Sequence, residues 1–215
     1  MTPEFAKAVD PVFLHVLGLM ERIERGENPS PENERHRIGA LLEQAEAKRG
    51  QSQDWQLAKY ALVSWIDEVM LDAPWNGRDW WENNALEVQY FRTRLRNEDF
   101  YNKSQQAAAL PQRDALEVFY LCVVLGFRGL YRNPAAAMAI AQSRNLPPNL
   151  EAWAKQASTA IRLGQGRPVL RDAIETAEGA KALTGRNRMI WSLLAAVILA
   201  ALAAGLALVK LSSGS

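Results

Sequence analysis

The sequence predicts an all-α fold in which one helical domain precedes a single membrane-spanning helix near the C-terminus. Apolar residues recur at steps of three and four, as at Val12, Val16 and Leu19, whereas no sustained period-2 alternation of β-branched residues occurs. Residues 189–209 carry no charge and, at about 1.5 Å per residue, would span roughly 31 Å, which matches the hydrocarbon core of a bilayer.

Composition indicates one substantial folded domain. The chain has 215 residues, of which 48% are hydrophobic and 23% are charged, and its formal net charge is +1. A chain of this kind can bury a core, and so balanced a charge gives no electrostatic footprint for nucleic acid, which we do not expect as a partner. The single cysteine, Cys122, lies in an apolar run and is typical of a core residue in a reducing compartment.

Proline and glycine bound the first three predicted helices. The Asp10-Pro11 pair predicts the start of the first helix and Gly26 predicts its end, because proline is favoured in the first turn and glycine just after the last. A second helix is predicted over residues 31–48. A third and more buried helix is predicted over residues 55–71, where large apolar residues keep a helical spacing.

Five further helices complete the predicted domain. Residues 80–94 and 98–109 fit two helices, and residues 112–127 are so densely apolar that they predict a central helix covered on both sides. Asn133-Pro134 predicts the start of a helix that ends near residue 144. Residues 150–162 form the last amphipathic pattern.

The C-terminal region predicts a tail anchor. Residues 1–162 form the predicted domain, and residues 163–185, which contain four glycines, are typical of a linker. A membrane helix is predicted over residues 186–210, followed by a short periplasmic tail over residues 211–215. The alternative is a buried helix of a soluble protein.

Charge at the two ends of this helix predicts its orientation. Lys181, Arg186 and Arg188 precede the uncharged segment 189–209, and Lys210 alone follows it. The excess of cations marks the cytoplasmic side, so the helical domain is predicted to lie in the cytoplasm. Alanines at every fourth position over residues 196–204 also favour self-association of the helix as a homodimer or larger assembly.

Three carboxylates are the candidate site. Asp67 and Glu68 interrupt the apolar third helix, and Asp72 lies four residues beyond Glu68 on the same face. They could solvate an exposed face, pair with an arginine or form a functional site. The Glu-x-x-His, Gly-x-Ser-x-Gly and Cys-x-x-Cys patterns do not occur, so we expect no enzyme, no metal site and no cofactor.

Aromatic residues follow the third helix. Trp75, Trp80 and Trp81 form either a partner-binding interface, where tryptophan is enriched, or part of the core of a small domain. The sequence favours neither outright.

Three motifs resemble a known family. They are YALVSWIDE at residues 60–68, APW at residues 73–75 and LEVFYLCVVLGFRGLYR at residues 116–132. They resemble the DotU family, also called TssL or IcmH, of bacterial type VI and type IVB secretion systems. The resemblance implies a cytoplasmic domain of two packed three-helix bundles, shaped like a hook and held in the inner membrane by one C-terminal helix.

The same resemblance implies partners and a site. Members of the family join an IcmF-type membrane protein, also called TssM, and recruit the baseplate. The acidic motif falls at Asp67 and Glu68, which with Asp72 would form a cleft for partner contact rather than for proton transfer. We therefore expect a structural subunit of the type VI envelope complex. The alternatives are the type IVB equivalent and a membrane-tethered enzyme using these carboxylates.

Other residues of the motifs lead to further structural predictions. Glycines 126 and 129 suit a tightly packed helix end. Arg128 and Arg132 could pair with Glu117 or Glu68. Two departures from the family pattern stand out: Asn76 separates the APW motif from the following glycine, and no peptidoglycan-binding domain follows the predicted membrane helix.

Overall fold

The computed structural model describes residues 1–164, and every regular element within that range is a helix. The all-α prediction is therefore confirmed for these residues. The elements, in chain order, are α1 (Pro3–Glu24), α2 (Pro31–Arg49), α3 (Gln53–Asp72), α4 (Arg78–Asn83), α5 (Leu86–Phe91), α6 (Arg96–Ala109), α7 (Asp114–Val124), a 3-10 helix (Gly129–Arg132), α8 (Pro134–Ser143) and α9 (Leu150–Gly164).

Helix α3 is the centre of this arrangement. It packs against α1, α2, α4, α5, α6 and α7. Helices α1, α2 and α3 form one group whose members all contact one another, and α6, α7 and α9 form another. Contacts between α3 and α7 join the two groups, so one continuous apolar core runs through the described residues.

Helix α1 begins earlier than predicted. It starts at Pro3 rather than at Asp10-Pro11, because Thr2 forms an N-cap whose hydroxyl accepts a hydrogen bond from the Phe5 amide at 3.4 Å. Pro11 lies inside the helix and removes one backbone hydrogen bond. Full burial of Phe5 and Val9, which lie ahead of Pro11, favours the helix throughout.

Two other boundaries also differ from the predictions. The single helix predicted over residues 80–94 is instead two short helices, α4 and α5. A new helix begins at α5, where a buried carboxylate accepts hydrogen bonds from the first N–H groups. The predicted central helix over residues 112–127 is shorter, since Gly126 has a φ of 115° and the Phe127 amide turns back to the Cys122 carbonyl at 3.0 Å. The other predicted helices are confirmed to within a few residues.

Among the helices of residues 1–164, none combines the length and apolar character that crossing a bilayer requires. The predicted membrane helix over residues 186–210 and the tail over residues 211–215 lie outside the described residues, as does the predicted linker beyond residue 164.

Candidate functional site

Asp67 is a fully buried carboxylate that accepts three hydrogen bonds. Its side chain is 0% exposed. The Trp81 indole N–H and the Leu86 amide each donate to Oδ1 at 2.9 Å, and the Glu87 amide donates to Oδ2 at 2.8 Å. Both oxygens are therefore occupied by donors from the protein itself.

The backbone of α5 explains why a carboxylate lies there. The N-terminal amides of a helix have no partner within the helix. Ala85, which precedes α5, has no side-chain acceptor, and Asp67 of α3 takes its place. Burial raises the pKa of the Asp67 carboxyl, while the amides of Glu87 and Leu86 and the Trp81 indole oppose that rise because they stabilise the charged form.

Glu68 repeats this arrangement on another side of α3. Its side chain is almost fully buried, and Oε1 accepts the Arg128 amide at 2.7 Å. The Gly129 amide donates to Oε2 at 3.1 Å. These amides begin the 3-10 helix, and the φ of Gly129 is 49°, a conformation that glycine adopts without strain. Glu68 therefore fixes the sharp turn after α7.

Arg132 connects the buried Glu68 to the exposed Asp72. Its guanidinium lies 2.9 Å from Glu68 Oε1 and 2.5 Å from Asp72 Oδ2. The hydrogen bond that Arg132 donates to Asp72 is the main reason that the pKa of Arg132 is raised. Of the pairings left open by the sequence, the structure therefore selects Arg132 with Glu68, whereas Glu117 pairs with the Met1 amino group.

Asp72 lines an open groove at the end of α3. The groove has a volume of about 270 Å³ and lies between the ends of three helices. We call it the α3-end groove; its lining residues are Met20, Ile23, Glu24, Val69, Asp72, Ala73, Pro74, Leu125 and Gly126. About half of the Asp72 side chain is exposed, and both of its oxygens accept hydrogen bonds from Arg132.

The structure thus separates the three predicted carboxylates. Asp67 and Glu68 do not solvate an exposed face, and neither lines the α3-end groove. Their predicted role in partner contact stays a prediction, but each has a structural role that the sequence did not reveal. Asp72 alone among the three reaches the groove.

The aromatic cluster belongs mainly to the core. Trp81 is fully buried and Trp75 nearly so, whereas Trp80 is half-buried. The Trp75 indole donates to the Met70 carbonyl at 2.9 Å, and its ring covers Gly77, where an added Cβ would lie 2.6 Å from the ring. The loop therefore accommodates Asn76 while the Trp75 ring packs on Gly77. The burial of Trp75 and Trp81 fits the core interpretation.

One important residue escaped the sequence analysis. Glu87 is fully buried and accepts hydrogen bonds from the Thr93 hydroxyl and the Leu95 amide, both at 2.8 Å. Arg96 lies 3.4 Å from its other oxygen. Glu87 therefore orders the turn between α5 and α6. Its sequence context, a glutamate in the first turn of a helix, is equally typical of an exposed position.

Two of the three carboxylates are committed to hydrogen bonds within the protein. A catalytic interpretation requires a pocket that encloses the three carboxylates, but two of them have their oxygens filled by internal donors. No group of three potential metal ligands is found within residues 1–164. Cys122 is fully buried, and burial raises the pKa of its thiol, which disfavours the reactive thiolate.

Together these features define a class of protein: a helical domain whose buried acids organise the fold beside an open, partly apolar groove. Known proteins agree with this class. A sequence model of the family described as type VI secretion system protein DotU matches residues 4–212, and the chain belongs to this family.

A solved structure supports the same assignment. The cytoplasmic domain of TssL from Acinetobacter baumannii is 25% identical in sequence and superposes with a TM-score of 0.58, covering 74% of this chain and 98% of that domain. No curated protein sequence matches the chain.

Proposed function

We propose that this chain is a structural subunit of a type VI secretion envelope complex, tail-anchored in the bacterial inner membrane with its helical domain in the cytoplasm. The observation that carries the proposal is the family match over residues 4–212, which extends through the uncharged segment 189–209. The solved neighbour supports the location, since it is a cytoplasmic domain and covers 74% of this chain.

Within that complex, the helical domain links an IcmF-type membrane protein to the cytoplasmic baseplate. The α3-end groove supports a role in protein binding, because it joins apolar lining residues to the exposed carboxylate of Asp72. Apolar contact supplies affinity at such a surface, and charge supplies orientation and specificity. The family description names type VI secretion, which favours this system over the type IVB equivalent.

Affinity capture tests the proposal. Tagged full-length chain is purified from solubilised membranes of cells that express the secretion system, and bound proteins are identified by mass spectrometry. We expect an IcmF-type protein and baseplate components. Their absence from such cells would overturn the proposed function.

Two charge reversals locate the contact. Asp72→Lys should reduce the captured amount severalfold, because it places a cation beside Arg132 at the rim of the groove. Glu43→Lys is the matched control, since Glu43 is an exposed carboxylate on α2, outside the groove. Glu68→Lys is unsuitable for this purpose because it would bury a cation where two amide donors point.

A further inference from the structure

Helix α1 presents a second apolar surface to solvent. One side of α1 is buried in the core, yet Leu14 is 69% exposed and Leu17 is 37% exposed on the opposite side. With Gly18 and Glu21 they lie one helical turn apart along a single stripe. We call these four residues the α1 face. Two exposed leucines beside a glycine leave apolar area that the described residues do not cover.

The α1 face adjoins the α3-end groove. A shallow hollow of about 480 Å³ lies over it, and Met20 and Glu24 line both this hollow and the groove. Gly18 forms an open notch, because a Cβ added there meets no atom within 4 Å. The notch would allow the backbone of another helix to approach closely. The two surfaces form one strip along α1.

Within residues 1–164, the strip carries negative charge that is not paired with cations. The cations Arg22 and Arg25 are engaged, since both contact Glu27, at 2.9 Å and 3.3 Å. Glu21 and Glu24 are exposed, and within residues 1–164 no cation lies within ion-pair distance of either. The rim of the strip therefore carries unpaired negative charge. It repels an anionic lipid surface and attracts Lys and Arg side chains.

We infer that this strip binds one amphipathic helix of a partner protein, which presents apolar residues to Leu14, Leu17 and Met20 and carries Lys or Arg at its edges. Helix-in-groove recognition needs an apolar floor for side chains spaced by three and four, and a rim of opposite charge. The inference rests on the proposed function, since it describes how this subunit contacts a component of its assembly.

Site-specific photo-cross-linking in cells tests the inference. A photoreactive benzoylphenylalanine replaces Leu14 in the full-length chain, and mass spectrometry identifies the cross-linked peptide. The matched control carries the same group in place of Met138, which is 64% exposed on α8. We expect a cross-link from position 14 only, to a helical segment rich in apolar residues and Lys or Arg. Cross-linking to a second copy of this chain, to lipid or to an acidic segment would overturn the inference.

Substitution of Gly18 separates docking from folding. Leucine is a better helix former than glycine, and the space above Gly18 is open, so Gly18→Leu should leave the thermal midpoint unchanged or raise it. The leucine would fill the notch, and we expect at least a tenfold loss of the position-14 cross-link. The double variant Glu21→Lys, Glu24→Lys should cause a similar loss, whereas Glu43→Lys should not. An undiminished cross-link in Gly18→Leu would contradict the inference.

Failure of this inference differs from failure of the proposed function. If affinity capture recovers the IcmF-type protein and baseplate components but position 14 gives no cross-link, the strip is not a docking surface and the assignment to the envelope complex stands. If capture recovers neither component, both proposals fall.

Discussion

Asp67 and Asp72 lie on the same helix, yet one is fully buried with three N–H donors and the other is half-exposed beside a groove. The difference arises from what each carboxylate meets. Asp67 faces the start of α5, whose amides need an acceptor, whereas Asp72 is the last residue of α3 and faces solvent and Arg132. The same residue type therefore organises the fold at one position and lies half-exposed beside a groove at the other.

Glu68, like Asp67, accepts hydrogen bonds from backbone amides of another segment, so α3 carries two carboxylates of this kind. Adjacent residues of an α-helix point about 100° apart, so Asp67 and Glu68 reach different segments. One takes the first amides of α5, and the other takes the amides that begin the 3-10 helix. The acidic pair thus ties two distant parts of the chain to α3.

Removal of the Asp67 carboxylate should have the largest effect on stability. Asp67→Ala leaves three buried donors without an acceptor, and each costs about 1–3 kcal/mol. We expect the free energy of unfolding to fall by roughly 3–5 kcal/mol. Chemical denaturation of the purified full-length chain, followed by circular dichroism, measures it. Glu43→Ala is the control, and a loss in Asp67→Ala no larger than in the control would show that the buried contacts contribute little.

Glu68→Ala should have a smaller but still large effect. It leaves the Arg128 and Gly129 amides unpaired, and it frees Arg132, which can turn to solvent and Asp72. We expect a loss of about 2–4 kcal/mol. Hydrogen exchange should also accelerate most over residues 126–132, and uniform acceleration along the chain would refute a local role for Glu68.

Trp81→Phe sharpens the comparison by removing a single donor. Phenylalanine keeps an aromatic ring in the core but lacks the indole N–H, so Asp67 retains its two backbone donors. The unfolding free energy should fall by about 1–2 kcal/mol, well below the effect of Asp67→Ala. Equal losses of unfolding free energy in the two variants would show that the packing of the Trp81 ring, and not the Asp67 carboxylate, contributes most of the stability.

The smallest expected effect concerns a carboxylate near the surface. The hydrogen bond from Lys59 lowers the pKa of Glu46 below its ordinary value of 4.5. Because the folded-state pKa is depressed, this pair stabilises the fold above the unfolded-state value and ceases to do so as pH falls through the folded-state value. Lys59→Gln should therefore show a smaller loss of unfolding free energy between pH 7 and acid than wild type. An unchanged pH dependence would contradict this.

The helices were largely predictable because periodicity and end signals reside in local sequence. The second helix, for example, is bounded by Pro31 and by Gly50, whose φ is 66°. Errors arose where distant residues set the boundary. Asp67 lies far from Leu86 in sequence, so nothing within residues 80–94 reveals that the chain restarts there.

The sequence singled out the acidic residues but did not reveal their surroundings. The acidic motif and Asp72 were found, but burial of Asp67 and Glu68 depends on amides that come from other segments. The α1 face did leave a signal that the sequence analysis did not use. Leu14 and Leu17 are apolar positions outside the buried stripe of Val12, Val16 and Leu19, and an apolar residue on the wrong side of an amphipathic helix indicates a second contact surface.

The most direct test of the division within α3 is a matched pair of isosteric substitutions, Asp67→Asn and Asp72→Asn, measured for both unfolding free energy and capture of secretion components. In Asp67→Asn the new amide group faces one of the N–H donors, and we expect a loss of about 2 kcal/mol. Asp72→Asn should cost less than about 1 kcal/mol, since its ion pair is exposed, yet it should reduce capture. Equal destabilisation by the two variants, with capture unaffected by Asp72→Asn, would contradict the division of roles along this helix.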